Sequence, residues 1–495
     1  MIYNFNLGIG WASSGVEYAQ MYRARMFRNI GAKAKFVFTD MISSDNIQAL
    51  TNNIGFLDDE IIWLYTYFTD CKIAPVSFTL KDFEQTLPNN DYSFERNGKI
   101  SRYTYNSGDF YTVYMENEIG DTVHRVEIVS NGCLIRKDYY NYMKVFSEYY
   151  GPLDGRAHLY QRRFYNEDGT VVYDELVDGD NSMFVFKDKI LYSKEEFVGY
   201  MVSCLELTEE DVVIIDRMTG IGQAILQNVG RARVGNVIHA DHFSEGNTDD
   251  KYILWNNYYE YSFAQHKHLS FYICATDAQN ELVRKQFAYY VGVEPNIVTI
   301  PVGSLPELKY PEGARKKHAL ITASRLASEK HVDWLVEATA KVHETVPDVS
   351  LDIYGKGGDE AMLKELIDKL DCGDYVHLCG QQNLTEVYKN YDAYFAASTS
   401  EGFGLSLMEA IGSGLPIVGF DVRYGNQTFI DDGENGYKIP VSDKMEKLDR
   451  VDKLAFYMTK MLVEDDIQAF QRHSYEKAEK YLTSEVEKRW KTLLG

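Results

Sequence analysis

The stretch "AYFAASTSEGFGLSLMEAIGSGLPIVGFDV", Ala393 to Val422, decides the fold. A short apolar run leads into a loop with Gly402 and Gly404, then into helix-forming residues that stop at Gly412 and Gly414, then into a second apolar run. Strand, helix, strand in this order predicts a βαβ unit, and hence a parallel sheet. Open parallel sheets bind ligands at the C-terminal ends of their strands. Glu401 follows the first strand directly, and Glu409 lies about a turn into the helix.

Working outward, the same grammar continues on both sides. "KHALITASRLASEKHVDWLVEATAKV" (Lys317–Val342) places Arg325 just after a strand and Lys330 at the start of the next helix. "VSLDIYGKGG" and "YVHLCGQ" supply further strands of the same unit. Upstream, "IYNFNL" and "AKFVFTD" flank a helix from Gly15 to Ile30, and "DVVIIDR", "VGNVIHADHF", "LSFYICAT" and "NIVTIPVG" resume the alternation. The expected fold class is therefore α/β, with two parallel-sheet domains. The first comprises residues 1–75 plus 205–304 and the second residues 305–480; a C-terminal helix over 481–495 is expected to pack back across them.

Between 76 and 204 the grammar changes. "VSFTL", "RYTY", "FYTVYMEN", "TVHRVEIV", "CLIRKDYY", "HLYQRRFY", "TVVYDEL" and "SMFVF" are short, β-branched and aromatic, and N-G, S-G and D-G turn signals separate them. This predicts an antiparallel all-β insertion of successive hairpins, one turning at Asp168-Gly169. Its tyrosines and arginines suit a surface that grips an extended polar chain or a protein partner. Equally, tyrosine simply fills strand positions well.

Bulk properties narrow the function class. The 495 residues leave room for several domains, and a formal charge of −23 argues against general binding to nucleic acid or anionic lipid. Six scattered cysteines (Cys71, Cys133, Cys204, Cys274, Cys372, Cys379) form no C-x-x-C and suit a reducing compartment. Neither a signal peptide nor an apolar run of about 18 residues is visible. The expected location is the cytoplasm, with peripheral association at the inner face of the cell membrane left open.

Arg325, Lys330 and the N-terminus of the Leu405–Ile411 helix converge, on this reading, at one sheet edge. Two cations and a helix N-terminus suit a diphosphate. Each cation–phosphate pair at about 4 Å and an effective dielectric near 20 is worth roughly 4 kcal/mol. Such a site favours departure of a nucleoside diphosphate, because negative charge grows on it as the bond breaks. Glu409 suits ribose hydroxyls, and Glu401 suits hydroxyls of the group transferred. Near the N-terminus, "LGIGWASSGVEYAQ" (Leu7–Gln20) is a glycine turn entering a helix, with Ser14 and Glu17 as a capping box. Its spacing is not G-x-G-x-x-G. Taken alone it reads equally well as a plain strand-to-helix turn or as a phosphate loop.

"SRLASEK" together with "EGFGLSLMEA", with the E-x7-E spacing from Glu401 to Glu409, resembles the retaining nucleotide-sugar glycosyltransferases called family 4, of two-Rossmann (GT-B) architecture. "LGIGWASSGVEYAQ", the tyrosine-rich insertion and "VIHADHF" narrow the resemblance. They are similar to the catalytic subunits that start O-glycosylation of serine-rich repeat adhesins in the bacterial accessory secretion pathway.

The resemblance implies that Arg325 and Lys330 hold the donor diphosphate, Glu409 the ribose, and Glu401 the donor sugar. The backbone of Gly402, Phe403 and Gly404 would contact sugar and phosphate, while Gln382, Asn383 and Leu384 read the uracil. Gly15, Val16, Glu17 and Tyr18 match a loop that reaches the diphosphate, and His242 matches a histidine that approaches the transferred sugar. His239 is its close competitor. The implied reaction moves N-acetylglucosamine from UDP-N-acetylglucosamine to Ser or Thr hydroxyls with retention and without a covalent nucleophile. UDP-glucose as donor, or a poly(glycerol phosphate) acceptor, is an alternative, as is a non-catalytic acceptor-binding chaperone subunit. No metal or other cofactor is expected: the one D-x-D, Asp178-Gly179-Asp180, lies in the insertion, far from the donor motifs. The implied partners are the serine-rich polypeptide and a related, inactive second subunit. His331, where many relatives carry Gly or Asn, is expected to stiffen the loop after Lys330.

Overall fold

The computed structural model describes residues 1–11, 15–89, 91–442 and 445–495. Packing divides the chain into two compact units. One comprises Met1–Ala24, Gly31–Asn236 and Asn257–Ser270; the other comprises Arg25–Ile30, Val237–Asn256 and Phe271–Gly495.

In the first unit, Ile2–Asn6 pairs in parallel with Ala34–Phe38 on one side and Val212–Ile215 on the other. Ile61–Trp63 extends the sheet beyond Ala34–Phe38. The helix Gly15–Asn29 starts where expected, although Ser14 of the capping box lies outside the described residues. A fully paired polar network locks its first turns. Arg23 grips Asp216 through two hydrogen bonds of 3.0 and 2.7 Å, Gln20 donates to the same carboxylate at 2.7 Å, and Asn6 donates to Glu17 and Gln20. All these side chains are buried, so each bond replaces water that is no longer there.

The chain leaves this sheet after Ile61–Trp63 and builds a ten-stranded antiparallel sheet running from Tyr92–Asn97 to Ile190–Leu191. The hairpin at Asp168-Gly169 forms as expected, with Gly169 at a φ of 80°. Three strands beyond those expected are present, Tyr92–Asn97, Lys144–Leu153 and Ile190–Leu191. Conversely, "VSFTL" is not a strand. Thr79 caps a short helix, Leu80–Glu84, through a reciprocal box with Asp82, and local capping outweighs β propensity there.

Most tyrosines of this sheet divide between buried and half-buried positions. Tyr103 and Tyr173 are buried, and Tyr173 stacks on Phe164 at 4.6 Å and on Phe186 at 4.8 Å. Its arginines are largely committed as well: Arg162 bridges Glu148 and Glu175, each at 3.0 Å, and Arg163 binds Asp174. The D-x-D sits in the turn between Val171–Asp178 and Asn181–Phe186.

The second unit holds a six-stranded parallel sheet. In spatial order its strands are Val376–Gly380, Ser350–Tyr354, Ala319–Ala323, Ala393–Ala396, Ile417–Phe420 and Gly436–Ile439. Numbered along the chain this is 3-2-1-4-5-6, a doubly wound arrangement. Alternate residues feed two separate cores: Leu320, Leu351, Phe395 and Val418 face one, and Ile321, Tyr394, Ala396 and Ile417 the other. Helices cover both faces, which explains the near-continuous apolar strands. The chain ends in the helix Thr483–Leu494, whose Trp490 packs edge-on against Phe27 at 5.0 Å. Among the described residues, no helix is long and apolar enough to cross a membrane. All six cysteines are free thiols.

Candidate functional site

The strand order places Ala319–Ala323 beside Ala393–Ala396, joined by parallel pairing of Leu320 with Ala393 and Ile321 with Tyr394. The order in which strands are added reverses between these two parallel strands, so a crevice opens at their C-terminal ends. Arg325 leaves one strand and Glu401 the other.

Backbone contacts fix the loop that carries Arg325. Ser324 N donates to Tyr354 O at 3.0 Å, and Leu326 N to Lys356 O at 3.0 Å. The neighbouring segment is "YGKGG", and a Cβ on Gly355 or Gly357 would sit 1.8 Å from Ser324 O or 2.0 Å from Leu326 O. Glycine is required there by close backbone approach. Arg325 itself is exposed and pairs with Glu329 at 2.7 Å, a surface contact of little energy that an incoming anion can replace.

Lys330 ends a short 3-10 turn, Ser328–Lys330, and donates to Glu401 Oε2 at 2.7 Å. Thr399 N donates to Glu329 O at 3.2 Å, tying the two loops together. His331 takes the left-handed conformation at φ 44°, which Gly or Asn adopts at less cost, and its ring stacks on Trp334 at 3.6 Å.

Tyr394, buried on the second strand, joins the same elements from beneath. Its hydroxyl donates to Ala323 O at 2.9 Å and lies 3.0 Å from Ser406 Oγ in the first turn of the helix Leu405–Gly412. Gly404 begins that helix at φ 87°. Phe403 points into the core against Phe429, so only its backbone faces the loop side. Glu409 is half-buried near Tyr388. Burial pushes its carboxyl up, and the Tyr388 hydroxyl opposes the shift.

The main chain clamps Glu401 further. Glu401 N donates to Arg423 O at 3.1 Å, while Tyr424 N and Gly425 N donate to Glu401 O at 2.6 and 2.7 Å. A Cβ on Gly425 would lie 2.2 Å from Phe403 O, so this turn too requires glycine. The Tyr424 side chain is buried, and its hydroxyl lies 3.0 Å from His242 Nδ1. His242 Nε2 lies 2.6 Å from Gln286 Oε1. His242 thus has no exposed surface and uses both ring nitrogens, and burial holds it neutral, with its pKa pushed down to about 4. His239 is partly exposed, and its carbonyl would lie 2.9 Å from a Cβ on Gly402.

Gln382, Asn383 and Leu384 follow the strand Val376–Gly380 at the same sheet edge. Gln382 donates to Cys379 O at 2.8 Å, Asn383 accepts from Thr385 N in a tight turn, and Leu384 packs on the core. In the other unit, Gly15 to Tyr18 form the first turn of the helix Gly15–Asn29, with Glu17 buried against Asn6 and Tyr18 exposed. The structure therefore brings Arg325, Lys330, Glu401 and the Leu405–Gly412 helix together. Tyr394, Tyr424, Gly355 and Gly357 are the supporting residues that sequence reasoning did not assign.

Two protein-family models match this chain. They are the GtfA extended beta-sheet domain over residues 93–188 and the glycosyl transferases group 1 over residues 307–455. A UDP-N-acetylglucosamine–peptide N-acetylglucosaminyltransferase GtfA subunit from Streptococcus gordonii is 53% identical over 498 aligned positions, covering 100% of this chain and 98% of its own. The crystal structure of the pneumococcal O-GlcNAc transferase GtfA in complex with UDP and GlcNAc is 49% identical, covers 100% of this chain and 98% of its own, and superposes with a TM-score of 0.91. A chain from a GtfA/B complex is 52% identical, with a TM-score of 0.97 and coverage of 100% and 99%.

Proposed function

The chain belongs to the GtfA subunits of the UDP-N-acetylglucosamine–peptide N-acetylglucosaminyltransferases, with GT-B architecture, and on that premise we propose that it transfers N-acetylglucosamine from UDP-N-acetylglucosamine to Ser and Thr hydroxyls of a polypeptide. The observation that carries this is the meeting of Arg325, Lys330, Glu401 and a helix N-terminus at the switch point of a 3-2-1-4-5-6 sheet. Arg325 and Lys330 take the diphosphate, and their charge counters the negative charge that develops on departing UDP. The ribose falls to Glu409, the uracil to Gln382, Asn383 and Leu384, and the sugar hydroxyls to Glu401 with the Gly402–Gly404 backbone. Gly15, Val16, Glu17 and Tyr18 serve the diphosphate from the helix that they begin.

The acceptor in this reading is a serine-rich repeat adhesin, and the sugar keeps its anomeric configuration. The acceptor oxygen attacks the face that UDP leaves, and a phosphate oxygen of the leaving group takes the acceptor proton. No protein nucleophile forms a bond to the sugar. His242 is the histidine assigned to the transferred sugar in this reading, with His239 its competitor; the His242 ring lies between Tyr424 and Gln286. A related GtfB-type subunit is the partner, supported by the GtfA/B complex among the solved relatives. No metal is assigned a role.

The test is intact-mass measurement of a serine-rich peptide incubated with UDP-N-acetylglucosamine or UDP-glucose, with and without the partner subunit. Addition of N-acetylhexosamine supports the proposal. Addition of glucose alone overturns the donor assignment, and no addition with the partner present favours a non-catalytic chaperone.

A further inference from the structure

Tyr388 sits just past the segment Gln382–Leu384, and that segment fixes its backbone. Leu384 O accepts from Val387 N at 2.9 Å and from Tyr388 N at 3.4 Å, which leads the chain into the short 3-10 turn Tyr388–Asn390. The Tyr388 ring then enters the buried core that it shares with Leu407 and Ile411 of the helix Leu405–Gly412, its centroid 6.3 Å from that of Tyr394. Its hydroxyl is sealed from solvent and completes no hydrogen bond among the described residues. A buried O–H left open is costly, so it calls for an acceptor.

Glu409, on the same helix, is the acceptor within its influence. Burial raises the Glu409 pKa, and the Tyr388 O–H is near enough to oppose that rise, although it stops short of hydrogen-bond geometry. Burial first and the Glu409 charge second push the Tyr388 pKa well up, so the phenol keeps its proton and can donate it. Glu409 has the complementary need. Among the described residues no cation acts on it. A half-buried carboxylate without a cation must be satisfied by neutral donors, and its two oxygens have room for several. Tyr388 approaches from the core, which leaves the exposed part of the carboxylate to ligand hydroxyls.

We propose that Tyr388 is a positioning residue for donor recognition: its hydroxyl donates to Glu409 when that carboxylate accepts the ribose hydroxyls, fixing the carboxylate's direction. The proposal rests on the ribose role given to Glu409 above. Calorimetric titration of the full chain with UDP and with 2′,3′-dideoxy-UDP, which lacks the ribose hydroxyls, tests it. Tyr388→Phe keeps the ring and its packing. It should weaken UDP binding about tenfold and change dideoxy-UDP binding by less than about twofold. In transfer assays with the partner subunit, the KM for UDP-N-acetylglucosamine should rise by a similar factor and kcat should stay within about twofold, as for loss of uniform binding.

A second comparison isolates the route. With Glu409→Gln in place, Tyr388→Phe should alter UDP affinity by less than about twofold, because the carboxylate it orients is gone. Unchanged UDP affinity in Tyr388→Phe overturns the proposal. So does equal weakening of both ligands, or a full tenfold loss in the Glu409→Gln background, since each would mean that Tyr388 acts on the fold rather than on Glu409. Equal affinity of the unaltered protein for UDP and dideoxy-UDP would instead strike the ribose role of Glu409, so the two failures are separable.

Discussion

Glu401 is held by its main chain on both sides, so its carboxylate is aimed before any ligand arrives. Tyr424 is central to that clamp: its N–H bonds Glu401 O, and its hydroxyl rests on a buried, neutral His242. Tyr424→Phe removes the hydroxyl and leaves His242 Nδ1 without this partner, which should cost about 1–2 kcal/mol of stability. It should also lower kcat about tenfold through misplacement of Glu401, with UDP affinity unchanged. Calorimetric titration with UDP beside steady-state transfer rates checks both parts.

His242 itself sets a pH dependence. Burial is the main cause of its low pKa, about 4 against an ordinary value near 6.5, so the unfolded chain binds its proton first. Stability from this group is full above pH 6.5 and is lost as pH falls from 6.5 to 4, by about 3 kcal/mol at most. Urea unfolding across that window should show the gap between His242→Asn and the unaltered protein changing with pH. A constant gap would show that His242 does not titrate on unfolding.

At the scale of elements, the glycines of "YGKGG" turn one strand-end loop into a template for the next. Gly355→Ala forces a Cβ to within 1.8 Å of Ser324 O, at a φ of 138° that alanine rarely adopts. Displacement of Ser324–Leu326 should cost about 2–4 kcal/mol and reduce transfer about 100-fold through Arg325. Thermal melts separate the two effects, and a variant with unchanged melting and activity would show that the loop is not braced there.

Such bracing was only partly legible in the sequence. Apolar runs between glycines made the strands of the second sheet readable, and their C-terminal ends pointed to Arg325, Lys330 and Glu401. Adjacency of the first and fourth strands was not readable, because strand pairing is nonlocal. Tyr394 and Tyr424 carried no signal that separates a staple from an ordinary core tyrosine. "VSFTL" misled because a β-branched run also contained the Thr79–Asp82 capping box, and "KVFSEYYGPL" was missed because Gly151-Pro152 reads as a turn.

On the scale of the whole molecule, Arg325, Lys330, Glu401 and the Leu405–Gly412 helix lie in one compact unit and the ten-stranded sheet in the other. That separation predicts independent lesions. Half-buried Arg162 bridges the buried carboxylates of Glu148 and Glu175, and Tyr139 and Tyr150 also donate to Glu148, at 2.8 and 2.6 Å. Removal of the guanidinium leaves two carboxylates close together with no cation between them. The cost should be about 3–5 kcal/mol, since a broken buried ion pair costs more than it contributed when intact. Arg162→Met fills similar space but cannot satisfy the charges; Arg162→Met with Glu148→Gln and Glu175→Gln should recover part of the loss. If the sheet carries the partner subunit, the single variant loses complex formation in size-exclusion chromatography while UDP affinity per folded molecule stays the same. Equal loss of UDP affinity would mean that the donor site depends on the inserted sheet for its shape, and the division of labour between the units would then be abandoned.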